Sequence, residues 1–124
     1  MSIKKILLVE DSKTETLIVS KMLIDAGFSV KTASSAEHAL IQLNEDKPDL
    51  ILMDVVMPGK SGFQLTRILA RDSALGTIPI ILCSSKNQET DRIWGLRQGA
   101  REYITKPVNA TRLVDAIRRI EVQK

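Results

Sequence analysis

The sequence predicts an α/β fold in which a five-stranded parallel sheet is covered by helices on both faces. Short apolar runs alternate five times with segments whose apolar residues recur at helical spacing. Three of these runs are apolar throughout, which is typical of parallel strands buried on both faces. Helices on both faces require a reversal of strand order, which opens a crevice at the carboxyl ends of the strands. The length of 124 residues fits one domain of this kind.

The first half of the chain contains three predicted strands and two helices. The strands lie at 6–9, 28–33 and 50–53, and the second alternates in polarity, which places it near an edge. Ser12 with Glu15, and Ser34 with Glu37, have the spacing of a capping box at a helix start. Gly27 ends the first helix and Pro48 closes the second segment. The predicted inward-facing residues are Leu17, Ile18, Met22 and Ala26 in the first helix, and Ala36, Ala39, Leu40 and Leu43 in the second.

The second half continues the alternation with two strands and three helices. A Pro- and Gly-containing loop at 58–62 precedes a helix that runs to about residue 71. Strands are predicted at 80–83 and 103–105, and helices at about 90–98 and 110–121. The residues expected to face the sheet are Phe63, Thr66, Ile68 and Leu69, then Ile93 and Leu96, then Leu113, Val114, Ile117 and Ile120.

Composition restricts the kinds of partner and compartment. The net charge is +3, and residues 86–124 hold nine basic and five acidic residues. This basic surplus suits a solvated surface or an acidic partner. Nucleic-acid binding is not supported, because the sequence has no dense basic run and few aromatic residues. Cys83 lies in an apolar run and is expected to be a buried hydrophobe. No signal peptide or membrane span is evident, so a cytoplasmic location is expected.

Polar side chains collect at the predicted carboxyl ends of the strands. Glu10 and Asp11 follow the first strand, Asp54 the third, Ser84 the fourth and Lys106 the fifth. Neighbouring strands lie about 4.8 Å apart, so the three carboxylates should nearly touch if strands one and three are adjacent. Each residue alone could be an ordinary surface charge or capping group. Their placement at successive strand ends predicts a Mg²⁺ site, because oxygen-only ligands favour this ion and its charge relieves their repulsion.

This grouping suits phosphoryl transfer to a carboxylate. Asp54 is the best candidate nucleophile, because it ends a central apolar strand and precedes a loop containing proline and glycine. A divalent cation and the Lys106 ammonium would neutralise charge on the phosphoryl oxygens, and the Ser84 hydroxyl could donate a hydrogen bond. Glu10 and Asp11 would then be ligands of the metal.

Five stretches in this order resemble the receiver domain of two-component response regulators, the CheY-like superfamily. The resemblance covers the whole chain, and its motifs lie at residues 6–12, 48–59, 62–63, 79–85 and 99–107. It implies a flavodoxin-like sheet of order 2-1-3-4-5 with five helices. It also implies one receiver domain over residues 1–124, with no output domain.

The resemblance further implies a role for each site residue. Asp54 accepts a phosphoryl group from the phosphohistidine of a sensor histidine kinase, and Mg²⁺ is held by Glu10, Asp11, Asp54 and the backbone carbonyl of Val56. Ser84 and Lys106 contact the phosphoryl group, and Tyr103 is the aromatic residue whose rotamer follows the hydroxyl at Ser84. Such a protein is a signalling phosphoacceptor that catalyses only its own phosphorylation and dephosphorylation. In the family, the peptide bond at the position of Lys106–Pro107 is often cis.

A narrower resemblance concerns residues 86–103. This stretch is similar to PilH-type single-domain regulators of type IV pilus twitching motility, and other taxis regulators are close. The resemblance implies a CheA-like kinase or a phosphotransfer domain as donor, and a downstream motility or taxis protein as target. It implies no direct contact with nucleic acid or membrane. The protein would be a monomer, or a dimer formed on phosphorylation through the fourth helix, fifth strand and fifth helix.

The signalling face is predicted on that same helix–strand–helix unit. Phosphorylation should pull Ser84 and Lys106 inward and change the population of conformations there. The candidate contact residues are Arg92, Arg101, Tyr103 and Arg112. Trp94 lies beside the predicted apolar stripe of its helix and could simply cover the edge of the core.

Three other interpretations fit the sequence less well. A nucleotide-binding enzyme is suggested by Gly59-Lys60-Ser61, but a P-loop needs a glycine at position 54, which is aspartate. A pseudo-receiver that acts as a scaffold without phosphorylation conflicts with the complete set of acidic, hydroxyl and lysine residues. A DNA-binding regulator would need an output domain, and none is expected after the fifth helix.

Overall fold

A computed structural model of the chain describes residues 2–86 and 88–123. Strands and helices alternate along these residues, as the apolar pattern predicts. The strands are β1 (Lys5–Val9), β2 (Ser29–Ala33), β3 (Leu50–Asp54), β4 (Ile80–Ser84) and β5 (Glu102–Thr105). The helices are α1 (Lys13–Asp25), α2 (Ala36–Glu45), α3 (Gly62–Arg71), α4 (Glu89–Gln98) and α5 (Ala110–Val122).

The five strands form one parallel sheet in the order β2-β1-β3-β4-β5. Strand β1 lies between β2 and β3. Strands β3, β4 and β5 then follow in chain order on the side of β1 opposite to β2. The reversal lies between β1 and β3, where Val9 pairs with Met53. The predicted fold class and strand order are therefore confirmed, and a crevice opens at the carboxyl ends of β1 and β3.

The core consists of two apolar layers, one on each face of the sheet. Alternate residues of β1, β3 and β4 face opposite layers, as strand geometry requires. One layer includes buried residues of α2 and α3, and the other includes buried residues of α1 and α5. Cys83 is 5% exposed and packs in the second layer, which confirms that it is a buried hydrophobe. Among the described residues, none of the helices combines the length and the hydropathy that a membrane span requires.

The buried face of α1 differs from the predicted one. Leu17 is 73% exposed and Ile18 is 51% exposed, and Ala26 is exposed as well. Val19 and Leu23, four residues apart, are the buried pair that contacts the sheet. The prediction was wrong because α1 carries apolar residues around much of its circumference, so spacing alone did not fix its rotation.

Two other helices also bury a face that differs from the predicted one. Ile68 in α3 and Ile93 in α4 are each 41% exposed, although both were predicted to face inward. Leu65 is buried in α3, and Gly95 is the buried residue of α4. In α5 the predicted set is nearly right, except that Ala116 is buried and Val114 is only half-buried.

The helix starts also differ in detail. Ser12 caps α1 by accepting a hydrogen bond from the Glu15 amide, but the Glu15 carboxylate pairs elsewhere and completes no capping box with it. Ser35, not Ser34, caps α2. A reciprocal capping box that the sequence analysis missed begins α3, where Ser61 and Gln64 exchange hydrogen bonds between side chain and backbone.

Candidate functional site

The carboxyl edge of the sheet brings three predicted acidic residues together. Glu10, Asp11 and Asp54 each offer a carboxylate oxygen, and these oxygens all lie within 4.8 Å of one another. Glu10 and Asp11 follow β1 and Asp54 ends β3, so the pairing of these two strands creates the cluster. The convergence expected from the strand ends is confirmed.

Burial makes this cluster electrostatically costly. Glu10 is 6% exposed and Asp54 is 7% exposed, whereas Asp11 faces solvent. Burial raises the pKa of Glu10 to about 7, although hydrogen bonds from the Ser12 amide and Lys106 oppose the shift. The pKa of Asp54 is also raised, mainly by burial. A cation would relieve this cost, and carboxylate oxygens are ligands that Mg²⁺ takes, usually one or two of them together with waters.

Lys106 supplies the positive charge already present in the cluster. Its Nζ lies 3.0 Å from Glu10 Oε1 and 3.2 Å from Asp54 Oδ1. A third carboxylate, from Glu15, lies closer still, with Oε2 2.7 Å from Nζ. Burial by itself would lower the pKa of Lys106, but hydrogen bonds to Glu15 and Glu10 and the charge of Asp54 outweigh it and raise this pKa. The ammonium therefore stays charged at neutral pH.

Glu15 is the residue of this site that sequence reasoning missed. Its spacing from Ser12 suggested a capping role, and only the fold shows that its side chain reaches Lys106 instead. One signal was available: Glu15 lies in the first turn of α1, four positions after Asp11. Three carboxylates thus surround the Lys106 ammonium, and Asp11 is a fourth carboxylate in the acidic cluster.

Ser84 and Tyr103 lie beside the cluster on adjacent strands. Ser84 is fully buried at the end of β4, and its Oγ accepts a hydrogen bond of 3.0 Å from the Lys86 amide. Tyr103 on β5 is half-buried, and its hydroxyl donates a hydrogen bond of 2.9 Å to the Lys86 carbonyl oxygen. Both side chains are therefore tied to the segment that follows β4. A motion of that segment would affect the two together.

The backbone around the site is held by short contacts between loops and strands. The Lys106 amide donates to the Ser84 carbonyl oxygen over 2.8 Å, which ties the end of β5 to β4. The Lys106–Pro107 peptide is cis, as the resemblance implied. The Gly62 amide donates to the Val55 carbonyl oxygen over 2.8 Å and fixes the loop after Asp54. Val56 has an exposed side chain, and metal binding by its backbone carbonyl stays a prediction.

The candidate interface residues are spread over a wider surface. Arg92 in α4 pairs with Glu89, and Arg101 before β5 donates to the Gln123 side chain. Tyr103 and Arg112 line one cavity of about 230 Å³ between β5 and α5. Trp94 is 50% exposed on α4, so it covers the core only in part. The four predicted contact residues thus lie on or beside the predicted helix–strand–helix unit.

Comparisons with known proteins agree with this architecture. Residues 6–118 match the model of the response regulator receiver domain. The chain is 45% identical to protein PilH of Pseudomonas aeruginosa, over 91% of this chain and 93% of the relative. It is 39% identical to the phosphate regulon transcriptional regulatory protein PhoB of Escherichia coli, over 94% of this chain but only 51% of that longer protein.

A solved structure is similar over nearly the whole chain. A putative response regulator from Chloroflexus aurantiacus superimposes with a TM-score of 0.93 at 29% identity, covering 98% of this chain and 100% of the other. The family match, the relatives and the similar structure all indicate the same family that the residues at the carboxyl edge of the sheet indicate. This chain therefore belongs to the receiver domains of two-component response regulators.

Proposed function

We propose that Asp54 is the phosphoacceptor of this receiver domain and that Mg²⁺ binds beside it. The observation that carries the proposal is the position of the Lys106 ammonium, 3.2 Å from the buried Asp54 Oδ1 at the acidic cluster. Glu10, Asp11, Asp54 and the Val56 carbonyl would hold the ion. When bound, Mg²⁺ would supply positive charge that stabilises the phosphoryl oxygens during transfer.

The transfer itself forms one bond and breaks another. An Asp54 carboxylate oxygen attacks the phosphorus of a phosphohistidine, the new P–O bond forms, and the P–N bond breaks with its electron pair returning to the imidazole. Lys106 is placed to pair with the transferred group, because its ammonium already contacts the attacking carboxylate. Ser84 would donate its hydroxyl hydrogen to a phosphoryl oxygen, and rotation of its side chain toward that oxygen would weaken the hydrogen bond that its Oγ accepts from the Lys86 amide.

The signal would leave the site through the segment between β4 and α4. When Ser84 turns toward the phosphoryl group, its hydrogen bond with the Lys86 amide weakens. The Tyr103 hydroxyl is bound to the carbonyl oxygen of the same residue, so a shift of Lys86 would also affect Tyr103. The face formed by α4, β5 and α5 would then change its population of conformations. Arg92, Arg101 and Arg112 carry positive charge on or beside this face, which suits an acidic protein surface.

We further propose a role in type IV pilus twitching motility or chemotaxis-like signalling in the cytoplasm. The 45% identity to PilH supports this assignment, because it extends over 93% of that relative. The donor would be a CheA-like sensor histidine kinase or a phosphotransfer domain. The target would be a motility or taxis protein reached by direct contact, and phosphorylation could also drive dimerisation through α4, β5 and α5.

The test is phosphorylation with a small donor. The chain is incubated with Mg²⁺ and acetyl phosphate and run on a phosphate-affinity gel, while Trp94 fluorescence follows binding of beryllofluoride. We expect Mg²⁺-dependent modification that Asp54→Asn abolishes and that the exposed control Asp25→Asn preserves. Modification that persists in Asp54→Asn would contradict the assignment. Partner binding without any modification would instead support a phosphorylation-independent scaffold.

A further inference from the structure

Glu15 makes the shortest of the three ion pairs to Lys106. Its Oε2 lies 2.7 Å from Nζ, compared with 3.0 Å for Glu10 Oε1 and 3.2 Å for Asp54 Oδ1. The other two carboxylates belong to strand ends, whereas Glu15 reaches the ammonium from the first turn of α1. An ammonium group has three N–H donors, so these three carboxylates can occupy its full capacity.

A phosphoryl group on Asp54 would take over the contact between Asp54 and Lys106, because the modified aspartate is no longer a carboxylate. A second phosphoryl oxygen on Lys106 would have to displace Glu10 or Glu15, and burial indicates which. The side chain of Glu10 is 5% exposed, so it would be left as a buried charge without its partner. The side chain of Glu15 is 40% exposed and can be hydrated after it separates. Glu15 is therefore the partner that Lys106 can exchange at the lowest cost.

We propose that Glu15 is a positioning residue that competes with the phosphoryl group for Lys106 and so lowers the affinity of the site for that group. The inference rests on the proposed phosphorylation of Asp54. Before modification, Glu15 holds the ammonium among the carboxylates. After modification, Lys106 leaves Glu15 for the phosphoryl oxygens.

The charge of Glu15 gives this competition a distinctive signature. A fourth carboxylate favours a cation at the cluster and disfavours an anion on Asp54. Removing its charge in Glu15→Gln should therefore weaken Mg²⁺ binding and, once Mg²⁺ is saturating, strengthen binding of the anion beryllofluoride. For a half-exposed charge near the site, we expect each change to be about threefold to tenfold. General damage to the fold would weaken both ligands.

The experiment measures both ligands by isothermal titration calorimetry. Mg²⁺ is titrated first, and beryllofluoride is titrated next at saturating Mg²⁺, into the unsubstituted chain, Glu15→Gln and Glu15→Ala. The matched control is Asp25→Asn, which removes one negative charge from the same helix. The Asp25 side chain is 63% exposed, and within the described residues its ion pair is with Lys21. We expect opposite changes for the two ligands in both Glu15 variants and no change in the control.

Each outcome decides the inference. Tighter beryllofluoride binding with weaker Mg²⁺ binding in Glu15→Gln supports it. Unchanged beryllofluoride affinity, or weaker binding of both ligands, overturns the competition and leaves phosphorylation of Asp54 intact. If the unsubstituted chain binds no beryllofluoride at all, both the competition and the proposed phosphorylation fail.

Discussion

Gly62 is packed so closely beneath Asp54 that even one added methyl group has no room. A Cβ built on Gly62 would collide with the Asp54 carbonyl oxygen and would lie 2.9 Å from the Val55 Cα. These neighbours are backbone atoms at the end of β3 and cannot rotate away as a side chain could. Gly62→Ala should therefore displace either the start of α3 or the strand end that carries the phosphoacceptor.

The size of the effect follows from two opposing contributions. Forcing a methyl group into a filled core costs about 1–3 kcal/mol and more when backbone must move. Alanine gains at most about 1 kcal/mol over glycine from helix propensity, and less at the first helical residue. We expect the free energy of unfolding to fall by about 2–4 kcal/mol. For a domain of this length, that corresponds to a fall in Tm of about 6–20 °C.

Gly95→Ala provides the matched comparison. Gly95 is also a buried helical glycine, but its Cβ would meet side-chain rather than backbone atoms, Leu82 Cδ1 at 3.0 Å and Tyr103 Cδ2 at 3.1 Å. These can shift by a few tenths of an ångström, so we expect a loss below about 1 kcal/mol. Urea unfolding of both variants, followed by circular dichroism, measures the difference. If Gly62→Ala were as stable as the unsubstituted chain, or more stable than Gly95→Ala, the reasoning from backbone contact would be refuted.

Three further predictions concern single side chains. Ser61→Ala should lower the free energy of unfolding by about 1 kcal/mol in urea, because it removes half of a capping box, whereas the exposed Ser73→Ala should have little effect. Burial raises the pKa of Cys83 to about 12, so at pH 8 its thiol should react with a disulfide reagent about 10³ times more slowly than in the unfolded chain, and equal rates would contradict this assignment. Without Mg²⁺, Asp54→Asn should be more stable than the unsubstituted chain, and the difference should grow as the pH rises above the ordinary aspartate pKa of about 4. The raised pKa of Asp54 means that ionisation disfavours the folded state as the pH rises, and a difference that shrank with rising pH would contradict the sign.

Much of the site could be predicted because strand ends are easy to recognise. A run such as residues 50–53 is apolar throughout, so the first charged residue after it marks the carboxyl end of a buried strand. Parallel strands bring those ends to one edge, and the residues that converge there follow from the order of the chain. Asp54 and Lys106 were found in this way, although they are 52 positions apart in sequence.

The rotation of the helices could not be predicted as well. In α1, apolar residues occupy several directions, and Val19 and Leu23 are buried while Leu17 and Ile18 face solvent. Which side is buried depends on the angle at which the helix packs against the sheet, and that angle is a property of the whole fold. The position of Glu15 has the same origin, because the rotation of α1 places its carboxylate near Lys106.

The alternation of strands and helices and the residues that converge at the carboxyl edge could be predicted from the chain. Local apolar periodicity and chain order are enough for those conclusions, because they depend on near neighbours along the chain. The fold alone reveals which carboxylates share the Lys106 ammonium and that both Ser84 and Tyr103 bind Lys86. Such contacts depend on helix rotation and side-chain reach, which are fixed when distant segments pack together.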